Sequence, residues 1–176
     1  MSKQIAIGGD HAGFAYKKEV IANLESKGYD VKDFGPYSED SCDYPDYVHP
    51  LAQGVEKGEF TFGVVICGSG NGVNMVANKY QGIRSGLCWE ASLAEMTRLH
   101  NDANVCTMPA RFISLEKAIN IIDNAEVVAV CDTNENSSNQ ARSLIKDPAK
   151  FYNNIEDLIN NNIADAYIIA LASVGE

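Results

Sequence analysis

The chain has 176 residues, of which 45% are hydrophobic and 22% are charged, and its formal net charge at pH 7 is −10. These values are typical of one globular domain with a sizeable core, and the acidic balance argues against nucleic acid or an anionic membrane as a partner. No apolar run approaches the length of a membrane-spanning helix. Five widely spaced cysteines without a CxxC pair indicate reduced thiols rather than a disulfide framework or a zinc site. Because the N-terminus leads straight into a predicted strand, without a cationic and apolar leader, we expect a cytoplasmic protein.

The first elements predict a βαβ unit. The pattern indicates a strand over 3–9, a helix over 12–27 that closes at Gly28, and a second strand over 29–34. The crossover of such a unit is right-handed and its strands are parallel. The first strand therefore delivers Asp10 and His11 to its carboxyl end.

Further strands and helices alternate along the chain. They are predicted as a loop over 35–46, a helix over 47–57, a strand ending at Cys67, a helix over 73–79, a strand over 84–88, a helix over 90–99 and a strand over 105–108. This alternation favours an α/β fold with a doubly wound parallel sheet, Rossmann-like and with three αβα layers. In such sheets, ligands bind at the carboxyl ends of the strands.

Residues 63–72, GVVICGSGNG, carry the strongest local signal. A short buried strand ends at Cys67 and a glycine loop leads into a helix, so unpaired backbone N–H groups face outward where an anion can bind. We expect these donors to lower the pKa of the Cys67 thiol and to make it a candidate base or nucleophile. The alternative is that Cys67 is a small buried apolar residue. The loop is neither a Walker loop nor a GxGxxG turn.

Three sets of polar residues fall on the same edge of the predicted sheet. Asp10 and His11 follow the first strand, Cys67 ends the third, and Arg111 follows the fifth. His100 precedes the fifth strand, which places it on the opposite edge. It would reach such a site only from another subunit, which points towards an oligomer.

Six sequence blocks resemble those of one known family. They are GDHAGF at 9–14, DYPD at 43–46, CGSGNG at 67–72, NK at 78–79, GIR at 82–84 and HNDANV at 100–105. In order and spacing they look like the signature blocks of the type B ribose-5-phosphate isomerases, a family that also includes allose-6-phosphate and galactose-6-phosphate isomerases. The resemblance covers residue 1 to about residue 123.

This resemblance implies an aldose–ketose isomerisation through an enediolate, in a homodimer or homotetramer whose sites lie between subunits. By position, Cys67 resembles the base that moves a proton between C1 and C2, and His100 resembles the acid that opens the furanose ring of a neighbouring chain's substrate. The loop that holds the enediolate oxygen is matched by Gly68, Ser69, Gly70, Asn71 and Gly72. Residues that hold the sugar hydroxyls or the phosphate are matched by Asp10, His11, Tyr44, Asn101 and Arg111. Neither a metal nor a nicotinamide cofactor is required.

Each residue also has a purely structural interpretation. Asp10 is placed to cap the following helix, and His100 to interact with the dipole at a helix C-terminus. Tyr44 before a proline is compatible with loop packing, and Arg111 with an exposed charge. His49 lies outside every block, and we expect it to be structural or on the surface.

The resemblance ends in the C-terminal segment. The family's Gly-Gly-Arg-His block and following arginine, which grip the substrate phosphate, are not found after residue 123. Phosphate affinity would therefore depend on His11, Arg111 and Arg142. We expect an isomerase domain over 1–123 and a divergent α/β segment over 124–176, which extends the sheet or packs as an appendage.

The segment instead resembles an internal piece of the NAD-dependent glucose–fructose oxidoreductase family. It predicts a strand over 126–132, a loop over 133–139, helices near 140–146 and 155–160, and a strand over 166–172. In that family an Asp at the position of Asp132 contacts the adenosine ribose. The preceding strand and its GxGxxG turn are missing, so dinucleotide binding is not expected.

The leading hypothesis is an enzyme that interconverts ribose 5-phosphate and ribulose 5-phosphate. One alternative is a catalytically weak or silent sugar-phosphate-binding protein, and another is an isomerase acting on a hexose 6-phosphate. An NAD-linked protein is suggested only by the C-terminal segment.

Overall fold

A computed structural model describes residues 4–124 and, beyond them, the backbone of two short strands at 129–131 and 150–152. The chain divides into two units, residues 1–125 and residues 126–176. In the second unit, Ala129–Cys131 and Lys150–Tyr152 pair in parallel. The first of these strands falls within the predicted strand over 126–132. The helices predicted near 140–146 and 155–160, and the strand over 166–172, lie outside the described residues.

The first unit contains all the strands and helices predicted before residue 109, displaced by at most a few residues. In chain order they are β1 (Gln4–Gly9), a 3-10 turn (His11–Gly13), α1 (Phe14–Ser26), β2 (Asp30–Asp33), α2 (Pro45–Glu56), β3 (Phe62–Cys67), α3 (Asn71–Ala77), β4 (Ser85–Leu87), α4 (Ala91–Asn101), β5 (Val105–Pro109) and α5 (Leu115–Asp123). Helix α5 was not predicted. None of the helices that the structure describes combines the length and the apolar character of a membrane-spanning segment.

The five strands form one parallel sheet in the order β2-β1-β3-β5-β4. The direction in which the chain adds strands reverses between β1 and β3. From β1 the chain adds β2 on one side of the sheet, and β3, β4 and β5 all lie on the other side. In open α/β sheets a ligand crevice forms at this point, outside the carboxyl ends of the strands. The predicted doubly wound sheet is confirmed, and β1 and β3 border the crevice.

Two hydrophobic clusters cover the two faces of this sheet. On one face Ile5, Ile7, Val64 and Ile66 pack against apolar residues of α1, α4 and α5. On the other face the intervening residues, such as Ala6 and Val65, pack against α2 and α3. The central strands are buried on both faces, and this explains why their sequences are apolar runs rather than alternating patterns.

Two glycines bring the turn after β1 onto the end of β3. A Cβ atom at Gly9 would lie 1.8 Å from the Ile66 carbonyl oxygen, and one at Gly13 would lie 2.2 Å from the same atom. The N–H group of Asp10 donates to this oxygen at 3.1 Å. Only glycine permits such a close backbone approach. This approach places Asp10 beside the end of β3, where Cys67 lies.

Asparagines in the blocks that carry the resemblance connect secondary structure elements. The Asn78 side chain donates to the Ser85 carbonyl and accepts from the Ser85 N–H, both at 2.9 Å. Asn104 accepts from the Arg84 N–H at 2.9 Å and donates to the Gly82 carbonyl at 2.8 Å. These two residues fix where β4 and β5 begin, so they build the fold rather than line a ligand site.

Candidate active site

A cleft of about 430 Å³ opens at the carboxyl ends of β1, β3 and β5. It is lined by Asp10, His11, Ala12, Tyr44, Cys67, Gly68, Ser69, Gly72, Arg111 and Phe112. Eight of these residues were predicted as site residues. Ala12 and Phe112 were not, since an alanine and an exposed phenylalanine carry no sequence signal for a ligand.

Cys67 is the last residue of β3 and is only 5% exposed. Its Sγ atom accepts a hydrogen bond from the Gly70 N–H at 3.2 Å. Gly70 has a φ of +76°, and a Cβ atom there would lie 2.3 Å from Leu87 Cδ1. The loop therefore folds back over the sulfur in a conformation that requires glycine. Asn71 begins α3 and is exposed, outside the set of cleft-lining residues.

The pKa of the Cys67 thiol is raised, so the expectation of a lowered value was wrong. Burial is the largest cause, and the negative charge of Asp10 raises the pKa further. The backbone N–H groups of Gly70, Ser69 and Val73 lower it, as the loop geometry predicts. Their combined effect is smaller than that of burial and Asp10, and the thiol stays largely protonated near neutral pH.

Replacing Asp10 with asparagine should lower the pKa of the Cys67 thiol without loss of the fold. Asp10 accepts a hydrogen bond from the Gly13 N–H at 3.0 Å, and asparagine caps a helical turn equally well. The substitution removes a negative charge that disfavours the thiolate. At a fixed pH below the thiol pKa, the thiolate fraction and the rate of alkylation by iodoacetamide should therefore rise.

The measurement is the alkylation rate of the peptide that contains Cys67, followed by mass spectrometry across a pH series. The Asp10→Asn curve should move to lower pH, whereas Asp10→Glu, which keeps the charge, should stay near the wild-type curve. Coincident curves for Asp10→Asn and wild type would show that the Asp10 charge does not act on the sulfur.

His11 and Arg111 bring positive or hydrogen-bonding groups into the cleft. The His11 Nδ1 atom is buried and has no hydrogen-bond partner within the described residues. The Arg111 side chain lies over Gly68, where a Cβ atom would be 3.3 Å from its Cδ and Nε atoms. No carboxylate of residues 4–124 pairs with its guanidinium group. A buried imidazole nitrogen and an unpaired cation at one cleft suit an anionic ligand.

Tyr44 forms a wall of the cleft and also packs against the glycine loop. It precedes α2, and a Cβ atom at Gly72 would lie 2.8 Å from its Cζ and Oη atoms. Its hydroxyl group therefore stands at the first turn of α3. Both the packing and the ligand-facing interpretations of Tyr44 fit this position.

His100 and Asn101 do not reach this cleft. Both are exposed residues in the last turn of α4, close to where β4 and β5 begin. The Asn101 carbonyl accepts a hydrogen bond from Arg84 Nη1 at 3.0 Å. Both lie on the opposite edge of the sheet from Cys67, the edge on which the topology predicted His100.

His49 lies outside the cleft. Its Nδ1 atom is 2.8 Å from the Tyr80 hydroxyl group, and the two rings meet edge to face. This places His49 in a structural contact between α2 and the segment after α3.

The cleft thus combines a buried thiol, backbone N–H donors, a carboxylate and an unpaired cation. This set suits proton transfer at a carbon atom of an anionic ligand, because a base and donors for a developing oxyanion lie together. Among residues 4–124 and the two short strands, no group of three or more His, Cys, Asp or Glu is placed to hold a metal ion.

Comparisons with known proteins identify the family of this chain. A sequence model described as Ribose/Galactose Isomerase matches residues 5–141, past the point where the resemblance was expected to end. Ribose-5-phosphate isomerase B of Escherichia coli is 43% identical over 69% of this chain and 81% of its own.

Two solved structures are similar to most of this chain. A ribose 5-phosphate isomerase from Thermotoga maritima has 37% identity and a TM-score of 0.71, over 84% of this chain and all of its own. Ribose-5-phosphate isomerase B from Mycoplasma genitalium, solved with bound ribulose-5-phosphate, has 37% identity and a TM-score of 0.68, over 71% of this chain and 84% of its own. On the breadth of these matches, this chain belongs to the ribose/galactose isomerase family.

Proposed function

We propose that this protein interconverts ribose 5-phosphate and ribulose 5-phosphate through an enediolate, with Cys67 as the base. Its family makes the chain a sugar-phosphate isomerase, and relatives of the chain carry the name ribose-5-phosphate isomerase B. The observation that supports the proposal most is the Cys67 sulfur on the cleft wall, within hydrogen-bond distance of the loop amide of Gly70.

The chemistry follows from the groups in the cleft. The Cys67 thiolate removes the proton from C2 of the open-chain aldose, and the electrons of that bond move to the carbonyl oxygen. The N–H groups of residues 68–72 stabilise the enediolate that results, and such donors typically each contribute about 100- to 1000-fold in rate. Cys67 then returns its proton to C1, and the hydroxyl proton at C2 moves to the C1 oxyanion. The C2 carbonyl and the C1 hydroxyl group of the ketose form, and the thiolate is regenerated. A raised pKa makes Cys67 a stronger base once it is deprotonated.

Binding of the phosphate is assigned to His11 and Arg111. The other predicted candidate, Arg142, lies outside the described residues. Within residues 4–124, the His11 Nδ1 atom has no hydrogen-bond partner and the Arg111 guanidinium group pairs with no carboxylate, and both residues line the cleft. These observations support the assignment. Tyr44 and Asp10 are assigned to the sugar hydroxyl groups, since both line the same cleft.

The proposal includes a homodimer or homotetramer with sites between subunits. His100, as ring-opening acid, and Asn101 would enter the cleft of a neighbouring chain. Their exposure on the far edge of the sheet supports this, because side chains there are accessible to another subunit.

Residues 1–123 are the isomerase domain in this proposal, and residues 124–176 are a divergent C-terminal segment. We place the enzyme in the cytoplasm, where the free thiols of Cys42, Cys67, Cys88 and Cys106 would stay reduced.

The test is a comparison of substrates with the purified full-length chain. Ribose 5-phosphate, allose 6-phosphate and galactose 6-phosphate are each followed by NMR for formation of the ketose. We expect ribose 5-phosphate to give a kcat/KM at or above about 10⁴ M⁻¹ s⁻¹, within the usual range of enzymes. A higher value for either hexose 6-phosphate would reassign the substrate. Calorimetric binding of ribose 5-phosphate without turnover would favour a silent binding protein.

A further inference from the structure

The C-terminal end of α4 is held by a half-buried arginine that no sequence pattern singled out. The Arg98 side chain is 19% exposed, and its Nη1 atom donates to the Ala103 carbonyl at 2.5 Å and lies 3.3 Å from Asp102 Oδ1. The last carbonyls of a helix lack partners within the helix and carry the negative end of its dipole. The Arg98 guanidinium group lies over this end of the helix. It donates to the Ala103 carbonyl, just beyond the helix, and its positive charge offsets the negative end of the helix dipole.

The same guanidinium group connects α4 to the strand that carries Cys67. Its Cζ atom lies 4.9 Å from the centroid of the Phe62 ring, and Phe62 is the first residue of β3. A cation over an aromatic face is attracted to it, and more strongly when both are partly shielded from water. Burial lowers the pKa of Arg98 whereas Asp102 raises it, and an arginine keeps its charge in proteins.

The turn that Arg98 holds has an uncommon backbone conformation. Asp102 has φ 49° and ψ 42°, in the left-handed region that non-glycine residues seldom adopt. The N–H groups of Asp102 and Ala103 donate to the Arg98 and Thr97 carbonyls. Such a conformation persists when surrounding contacts stabilise it. Here the Arg98 guanidinium group provides such contacts, to the Asp102 carboxylate and the Ala103 carbonyl.

We propose that Arg98 is a positioning residue that sets the orientation of His100 and Asn101 at the end of α4. The inference rests on the proposed function, in which these two exposed residues complete the cleft of a neighbouring chain. His100 lies two residues after Arg98 and two before Asp102, so any shift of this turn moves the imidazole. Lysine cannot fully replace the arginine, because an ammonium group has no plane to stack on Phe62 and offers no planar fork of donors.

The first test measures the position of His100 directly, without activity. The chain contains only three histidines, so their ring signals in two-dimensional NMR can be assigned with His100→Asn and His49→Asn variants. In Arg98→Lys we expect the His100 ring signals to shift or broaden, while those of His11 and His49 stay in place. Lys117→Met is the matched control, because it removes the ion pair with Glu90 at the opposite end of α4. Unchanged His100 signals in Arg98→Lys would overturn the inference.

The second test asks in which subunit Arg98 acts. Arg98→Lys should lower kcat by about 10- to 100-fold, as misplacement of a reacting group by about 1 Å does. We then mix Arg98→Lys with Cys67→Ala. In the mixed oligomer, the Arg98→Lys chain supplies an intact Cys67 and the Cys67→Ala chain supplies an intact α4, so one kind of site carries no lesion. Activity should therefore recover in that mixture, but not in a mixture with His100→Asn, since both lesions then lie in the same half of the site.

The outcomes separate this inference from the proposed function. A wild-type kcat in His100→Asn would refute the role of His100 as acid, while the NMR experiment would still decide what Arg98 does. Recovery with His100→Asn would refute the positioning role. Failure to recover with Cys67→Ala would refute it too if Cys67→Ala and His100→Asn do restore each other's activity, whereas failure of both mixtures would refute the shared site of the proposed function. Thermal unfolding of each variant identifies any loss of activity that comes from unfolded protein.

Discussion

Cys67→Ala should lower kcat for ribose 5-phosphate by about 10²- to 10⁴-fold, the range that general-base catalysis contributes. The substitution removes the only titratable side chain at the end of β3, and it leaves Arg111 and the loop amides in place to bind the substrate. The KM should therefore change much less than kcat. The measurement is the initial rate of ribulose 5-phosphate formation, together with the exchange of the C2 proton with deuterated solvent.

Two variants control this experiment. Cys67→Ser keeps an acceptor for the Gly70 N–H but replaces the thiol by a hydroxyl group whose pKa is far too high for a base, so it should be as slow as Cys67→Ala. Cys42→Ala changes another free cysteine that does not line the cleft and should retain the wild-type rate. A rate for Cys67→Ala within about twofold of wild type, far below the effect of losing a general base, would refute the role of Cys67.

The fold was readable from the sequence because local patterns and topology agree. Buried parallel strands such as 62–67 are uninterrupted apolar runs, and glycine or proline marks the ends of most elements. Helix α5 was missed although its signal is present. Ser114 caps it by accepting from the Lys117 N–H at 3.1 Å, and Ala118 and Ile121 lie on one buried face.

The edge on which each site residue lies was also predictable, since the carboxyl ends of parallel strands meet at one edge. The pKa of Cys67 was not predictable. It depends on how deeply the sulfur is buried and how close Asp10 comes, and both follow from the packing of Gly9 and Gly13 on Ile66. Sequence spacing places Asp10 and Cys67 at neighbouring strand ends but gives no distance between them.

Arg98 illustrates a second limit of the sequence. Nothing in the pattern of α4 distinguishes it from an exposed helical cation. Arg98 contacts Phe62, which precedes α4 in the chain, and Ala103, which follows it. The contact with Phe62 in particular forms only when β3 and α4 come together in the folded structure.

The largest gain in activity is expected from mixing two variants that are each nearly inactive. Cys67 and His100 lie on opposite edges of the sheet, so a complete site would take Cys67 from one chain and His100 from another. In a heterodimer of Cys67→Ala with His100→Asn, one site carries both lesions and the other carries neither. With random mixing, about half of the dimers contain one chain of each variant. Each mixed dimer has one intact site out of two, so the whole mixture should reach about one quarter of the wild-type activity.

The experiment is co-expression of the two variants with different affinity tags, followed by isolation of the mixed species and measurement of its kcat per site. Cys67→Ala mixed with Arg111→Ala is the matched control, because both residues line the cleft of the same chain. In that control, each cleft of the mixed species carries one lesion and no intact site forms. If His100 acted within its own chain, the Cys67→Ala and His100→Asn mixture would behave like the control. Recovery in the first mixture alone therefore requires that the sheet edge holding the thiol and the helix end holding the imidazole come from different subunits.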